Sequence, residues 1–274
     1  MRESPENTQE ILNLCVPQGS ILGLIGENGA GKSTTIKLIM NAIKKDEGEI
    51  SVLGCKSDDQ NFVKIKEDIG IVLDEAYFPE TLNALKIGKV MKLAYQNWDD
   101  ECYRNYLNQL SLPENKSFKE FSRGMKMKLA IATALSHRPR LLVLDEATSG
   151  LDPIIRDELL DVFNDFTRDE THSILISSHI TSDLEKICDY VAFIHEGRLV
   201  FQEEKDRLLE KYVLLKMTEK DFAALNEEAV KGVKHGTYGV EVLALREQIP
   251  STFVTERLNL EDIILFLAKG GTAK

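Results

Sequence analysis

Nine consecutive residues, Gly26, Glu27, Asn28, Gly29, Ala30, Gly31, Lys32, Ser33 and Thr34, have the types and spacing of a phosphate-binding loop. Glycine adopts positive φ without strain. At 26, 29 and 31 it would let successive backbone N–H groups turn inward as an anion-binding nest. Lys32 can reach β- and γ-phosphates as a point charge, and the Ser33 hydroxyl is placed to ligate Mg²⁺. A second stretch, Leu141, Leu142, Val143, Leu144, Asp145 and Glu146, is an apolar run ending in two carboxylates. Asp145 suits Mg²⁺, directly or through water, and Glu146 suits orienting and polarising a water that attacks a γ-phosphate. Three more stretches are ordinary when taken singly. Ser122-Arg123-Gly124 before a helical pattern reads as an N-cap, Ser149-Gly150-Leu151-Asp152 as a turn, and His179 after an apolar run as a surface histidine.

This chemistry needs the loop held between a strand and a helix N-terminus, where N–H groups and the helix dipole favour an anion. The sequence supplies both, as an apolar run at 21–25 and a helical pattern at 34–43. Further short apolar runs at 69–73, 141–144, 173–177 and 190–194 predict buried strands of a largely parallel sheet, alternating with helices at 153–167 and 181–188. Residues 75–138 are rich in helix formers, with helical patterns at 82–95 and 101–110, and predict a helical insert. The expected fold is an α/β phosphate-loop NTPase over residues 1–201. A small α+β accessory domain over 202–274 is expected to end in an amphipathic helix at 258–268.

Bulk properties narrow the partners. With 45 acidic against 34 basic residues in 274, net charge −11, the chain has no basic stripe for nucleic acid. Cys15, Cys55, Cys102 and Cys188 are scattered without metal spacing and read as buried thiols in a reducing compartment. The first ten residues are polar, and no apolar run is long enough to cross a bilayer, so a membrane role requires a partner.

In order and spacing these stretches together resemble the nucleotide-binding subunit of ABC transporters, over residues 11–201. GENGAGKS stands as Walker A, FSRGM in place of the LSGGQ signature, LLVLDE as Walker B, SGLD as the D-loop and His179 as the switch histidine. The resemblance implies ATP and Mg²⁺ as ligands and a head-to-tail dimer with a second ATP-binding subunit, the same chain or another. Ser122 and Gly124 of one chain would then cap the γ-phosphate held by Lys32 and Ser33 of the other. His179 would contact that phosphate and Asp152 would act across the dimer.

Two departures from the pattern stand out. Asp74 occupies the place of a family glutamine that touches Mg²⁺ and the transport partner, and is expected as a third metal ligand beside Ser33 and Asp145. Residues 1–25 contain no Phe, Tyr, Trp or His to stack on adenine. Either the chain starts late, without its first strand, or adenine is held another way; residues 7–17, which read as the end of an already begun β-subdomain, favour the first. Asp74, FSRGM and the C-terminal appendage resemble ATPases that pair with ABC-2-type exporter permeases. The resemblance thus implies a cytoplasmic protein peripheral on the inner face of the cell membrane, docked near residues 74–85 to an integral membrane permease. The alternatives are a soluble ABC-type ATPase not coupled to transport and a non-hydrolysing regulatory subunit. The first usually shows a second such domain, a coiled coil or zinc cysteines; Glu146 and His179 argue against the second.

Overall fold

The structure, a computed structural model, describes residues 12–237, 239–250 and 253–269. The first eleven residues, which bear on the question of an adenine platform, lie outside that range. In chain order, β1 (Ile21–Ile25) leads through a loop into α1 (Lys32–Ile39). A hairpin of β2 (Ser51–Val52) and β3 (Cys55–Lys56) and the single turn α2 (Phe62–Ile65) precede β4 (Ile69–Val72). Three helices follow, α3 (Ala84–Ala94), α4 (Asp100–Gln109) and α5 (Arg123–Leu135). Then come β5 (Leu141–Asp145), α6 (Pro153–Phe166), β6 (Ser173–Ser178), α7 (Thr181–Ile187), β7 (Tyr190–His195) and β8 (Arg198–Glu204).

Strands β4, β5, β6, β1 and β7 lie side by side in that order and run parallel, and β8 closes the edge antiparallel to β7. A parallel sheet covered on both faces needs apolar residues on both, and every residue of β1 and β5 is buried. The faces separate by strict alternation. Ile21, Ile25, Leu142, Leu144, Ile174, Ile176, Val191 and Phe193 join the core under α5, α6 and α7. Leu22, Leu24, Leu141, Val143, Leu175, Ala192 and Ile194 pack with Ile36 and Met40 on the other side.

Helix α1 is shorter than its apolar pattern predicts. It ends at Ile39 because Asn41 takes a left-handed conformation, φ 51°, a usual way for a helix to terminate. The cysteines also differ from expectation: Cys188 alone is buried, Cys55 and Cys102 are half-buried and Cys15 is exposed.

Beyond β8 the chain forms α8 (Lys205–Lys211), β9 (Tyr212–Met217), α9 (Glu219–Phe222), β10 (Val230–Gly236), β11 (Gly239–Leu245), β12 (Thr255–Glu256) and α10 (Leu260–Lys269). The four strands make a second sheet, antiparallel throughout, in the order β10-β11-β9-β12. Val213, Leu215, Val240 and Val242 form a small core on one side of it. Leu214 and Leu243 instead belong to the main core, together with Leu260, Ile263 and Phe266 of α10 and Leu184 and Ile187 of α7.

The helical insert is tied to the sheet through His137, whose ring is fully buried and stacked on Tyr95 at 4.0 Å between centroids. Its Nδ1 lies 3.0 Å from the Glu67 carbonyl, which can only accept, so Nδ1 carries the proton. Nε2 is buried without a hydrogen-bond partner among the described residues. Burial holds the imidazole below its ordinary value of 6.5, against the opposing pull of the Glu67 carbonyl. The unfolded chain therefore takes up a proton at a pH where the folded chain does not. Stability from this group is present above about pH 6.5 and is lost as pH falls through the folded value. Between about pH 7 and about pH 5.5 the parent should lose more stability than His137→Gln. Denaturant melts at the two pH values measure this, and parallel losses would sink it.

Candidate active site

Gly26 closes β1 and begins the loop. Contrary to the sequence expectation it is not at positive φ; its reason is space, since a Cβ there would lie 2.5 Å from the Ile194 carbonyl oxygen on β7. Gly29 and Gly31 do take left-handed backbone, φ 86° and 111°. Ala30 N–H donates to the Glu27 carbonyl at 3.0 Å, which bends the loop back on itself. Gly31 then forms the N-cap of α1, its carbonyl accepting from Thr35 N–H at 2.8 Å. Glu27, Asn28, Gly29 and Ser33 are exposed, Thr34 is half-buried and Ala30 is buried. The loop thus offers an open rim around a closed base.

Lys32 fills that base. It is 5 % exposed, and its Nζ donates to the Gly26 carbonyl at 2.8 Å and the Glu27 carbonyl at 3.3 Å. It also lies 3.2 Å from Glu146 Oε1, an ionic contact without hydrogen-bond geometry. Glu146 Oε2 in turn meets His179 Nδ1 at 2.6 Å, so one carboxylate sits between the ammonium and the imidazole. Glu146 adopts φ 52°, strained for a side-chain-bearing residue, and it stops β5 at the carboxylate pair. Its N–H is held by the carbonyl and hydroxyl of Ser177, each at 3.1 Å.

Asp145 is buried, and its Oδ1 accepts from the Ser177 hydroxyl at 2.5 Å. Ser177 was not singled out from the sequence. Its signal was available, however: β5 and β6 run parallel and Ser177 registers opposite Asp145, so a hydroxyl in an apolar strand marks the place where an acid needs a donor.

The remaining candidates are not drawn to this cluster. Ser122 caps α5, its Oγ accepting from Met125 N–H at 3.2 Å. Gly124 is buried where a Cβ would meet Ile155 Cδ1 of α6 at 2.4 Å. Asp152 caps α6, its Oδ1 accepting from Ile155 N–H at 3.1 Å. Asp74 follows β4 at the same sheet edge as Asp145, but it is exposed and its Oδ1 accepts from Glu75 N–H at 3.0 Å. Among the described residues no cluster of three or more His, Cys, Asp and Glu is arranged to hold a metal ion.

A glycine loop between a central parallel strand and a helix N-terminus, with a buried lysine reaching the Glu146 carboxylate just beyond the end of another strand of the sheet, defines a P-loop NTPase. The ABC transporter family model matches residues 10–149, and the chain belongs to that family as an ATP-binding subunit and ATPase. It is 36 % identical over 225 residues to the bacitracin transport ATP-binding protein BcrA of Bacillus licheniformis, covering 78 % of this chain and 71 % of that one. The lantibiotic transport ATP-binding protein SrtF of Streptococcus pyogenes is 36 % identical over 197 residues, 71 % of this chain and 83 % of its own. Among solved structures, an ATP-binding subunit of an ABC transporter superposes with a TM-score of 0.64 at 29 % identity, over 71 % of this chain and 82 % of that one. A dimeric ATP-binding cassette in a post-hydrolysis state with ADP and Pi shares the fold, with a TM-score of 0.64 at 22 % identity over 70 % of this chain and 88 % of that one.

Proposed function

We propose that the chain powers export through a separate membrane permease, as one of a pair of ATP-binding subunits. Glu146 carries the ATPase half of this reading, since its two carboxylate oxygens meet the phosphate-loop lysine and His179 and so stand where an attacking water would be polarised; the transport relatives support the export half. Lys32 and the loop N–H groups hold the β- and γ-phosphates, His179 contacts the γ-phosphate, and Glu146 takes up the proton of the water. Ser122 and Gly124 sit at the N-terminus of α5, whose dipole favours an anion; in a head-to-tail pair they cap the γ-phosphate held by Lys32 and Ser33 of the other copy. Asp152 lies at the same contact. The ATPase part extends through β8 to Glu204, three residues past the boundary expected at 201, because Gln202, Glu203 and Glu204 pair with β7; the accessory part follows it.

The exposed Ser33 hydroxyl and the buried Asp145 carboxylate are hard oxygen donors that fit Mg²⁺. When bound, that ion neutralises charge on the phosphate oxygens. Asp74 stays outside this donor set, because its Oδ1 turns back to the next N–H and, among the described residues, it does not gather with Asp145 and Glu146 into an acidic cluster. Asp74→Ala is therefore expected to leave the Mg²⁺ concentration for half-maximal ATPase activity unchanged within about twofold, where loss of a carboxylate ligand would raise it well beyond that. Mg²⁺ titration of the two proteins decides it.

Among the described residues no helix is long and apolar enough to cross a membrane, so export requires a partner that does. The names of BcrA and SrtF make bacitracin and lantibiotics the first cargoes to assay. The test is purification of the tagged chain from its native membranes. Co-purification of a hydrophobic permease whose presence changes the ATPase rate is expected; recovery from the soluble fraction without one, with an unchanged rate, would overturn the reading.

A further inference from the structure

Arg156 joins two segments that flank Glu146 in space and that the chemistry described above leaves unconnected. It lies one turn into α6, and its Nη2 donates to the Leu151 carbonyl at 3.1 Å, gripping the 149–152 turn. Its Nε faces Asp183 Oδ2 at 3.6 Å. Asp183 is 2 % exposed and sits in the first turn of α7, four residues beyond His179. Both of the facing atoms are buried without a hydrogen-bond partner among the described residues.

Arg156 is half-buried with its Nε closed off from solvent, and Asp183 is buried; at this separation the two attract, yet leave a donor and an acceptor unmade, because charge-assisted hydrogen bonds close at about 2.7–2.9 Å. A displacement of α6 toward α7 by less than about 1 Å completes the bond, so the pair has two arrangements, stretched and closed. Lys186 and Asp157 also bridge α6 and α7, at 2.9 Å, but that pair is exposed and screened, and its long side chains follow either position. The Arg156–Asp183 pair, whose facing atoms are closed off from solvent, is therefore the element that senses the spacing. One end is fixed to the turn through Leu151. The other is fixed to the helix that follows His179, whose ring meets Glu146.

We propose that Arg156 and Asp183 are positioning residues that couple the 149–152 turn to His179, closing their hydrogen bond when nucleotide draws the two segments together. This rests on the ATPase reading of the Glu146 site. Neither side chain touches the reacting atoms, so the expected effect is on turnover and on communication rather than on nucleotide affinity.

The test is hydrogen exchange of the full-length chain with and without Mg²⁺ and a non-hydrolysable ATP analogue, for the parent, Arg156→Gln and Asp183→Asn, alongside melting temperatures, kcat and KM for ATP. In the parent, nucleotide should slow exchange in both 149–152 and 179–187. In each variant the protection at 149–152 should remain while that at 179–187 falls severalfold, with kcat down about tenfold and KM within about twofold. Arg156→Lys, which keeps the charge but loses the planar fork, should recover part of kcat. Protection of both segments and a kcat equal to the parent would overturn the proposal. So would faster exchange in both segments already without nucleotide together with a lowered melting temperature, the mark of a pair that only stabilises the fold. A parent that shows no nucleotide-dependent protection anywhere overturns the ATPase reading and this inference together.

Discussion

Glu146→Gln is expected to lower ATP turnover by about 10²- to 10⁴-fold, the range typical for loss of a positioned general base. The change is nearly isosteric, so the left-handed backbone at 146 and the Ser177 contacts to its N–H are retained. Affinity should move the other way. In the parent the carboxylate lies 3.2 Å from Lys32 Nζ and competes with any phosphate for that charge. An amide does not compete, and it removes a negative charge from beside the triphosphate. ATP should thus bind with equal or lower Kd, and the chain should migrate as a dimer in Mg-ATP because the bound nucleotide persists. Phosphate-release kinetics, equilibrium titration and size-exclusion chromatography check the three parts. A rate within about threefold of the parent would show that another group takes the proton.

Lys32→Ala should weaken ATP binding by about 10- to 100-fold, since a hydrogen bond to a charged group is worth about 1.5–3 kcal/mol and each 1.4 kcal/mol is tenfold. Its effect on the fold is separable. The ammonium satisfies the Gly26 carbonyl and is the cation beside Glu146, so its removal leaves a carboxylate deep in the loop without an opposing charge. Lys32→Ala is accordingly expected to lose stability as well, and adding Glu146→Gln should restore part of that stability while leaving affinity low. A double-mutant cycle on melting and on titration distinguishes the two effects. Additivity in both measurements would mean that the contact between Lys32 and Glu146 has no energetic weight.

The parts of this molecule legible in its sequence are those whose cause is local. Fully buried parallel strands read as continuous apolar runs, and β1, β4, β5, β6 and β7 fall within about a residue of their predicted limits. The phosphate loop is consecutive in sequence, so residue types alone give its chemistry. What sequence left hidden depends on neighbours far along the chain. Gly26 is required by a carbonyl on β7, which no reading of the loop itself reveals. Ser177 meets Asp145 only once β5 and β6 are registered. Strand β8, with Gln202, Glu203 and Glu204 inside it, reads as a charged segment, yet it pairs with β7 because the Glu196-Gly197 turn, with both residues at positive φ, folds it back as a hairpin. Asp74 is expected as a metal ligand only through the family resemblance; in this structure its partner is the N–H of the following residue, a local preference of aspartate in turns.

Helix α10 lies against α7, where Leu260 N–H donates to Glu185 Oε2 at 3.0 Å and Ile263 and Phe266 share a core with Leu184 and Ile187. The C-terminal part is therefore not a detachable passenger. A chain cut after β8 would leave the apolar side of the helix that follows His179 facing water, and the loss would be felt at the His179–Glu146 contact before it was felt at the sheet. In such an arrangement anything that grips the C-terminal sheet has a mechanical lever on the ATPase centre, and recombination could not exchange this appendage for another without also re-fitting α7.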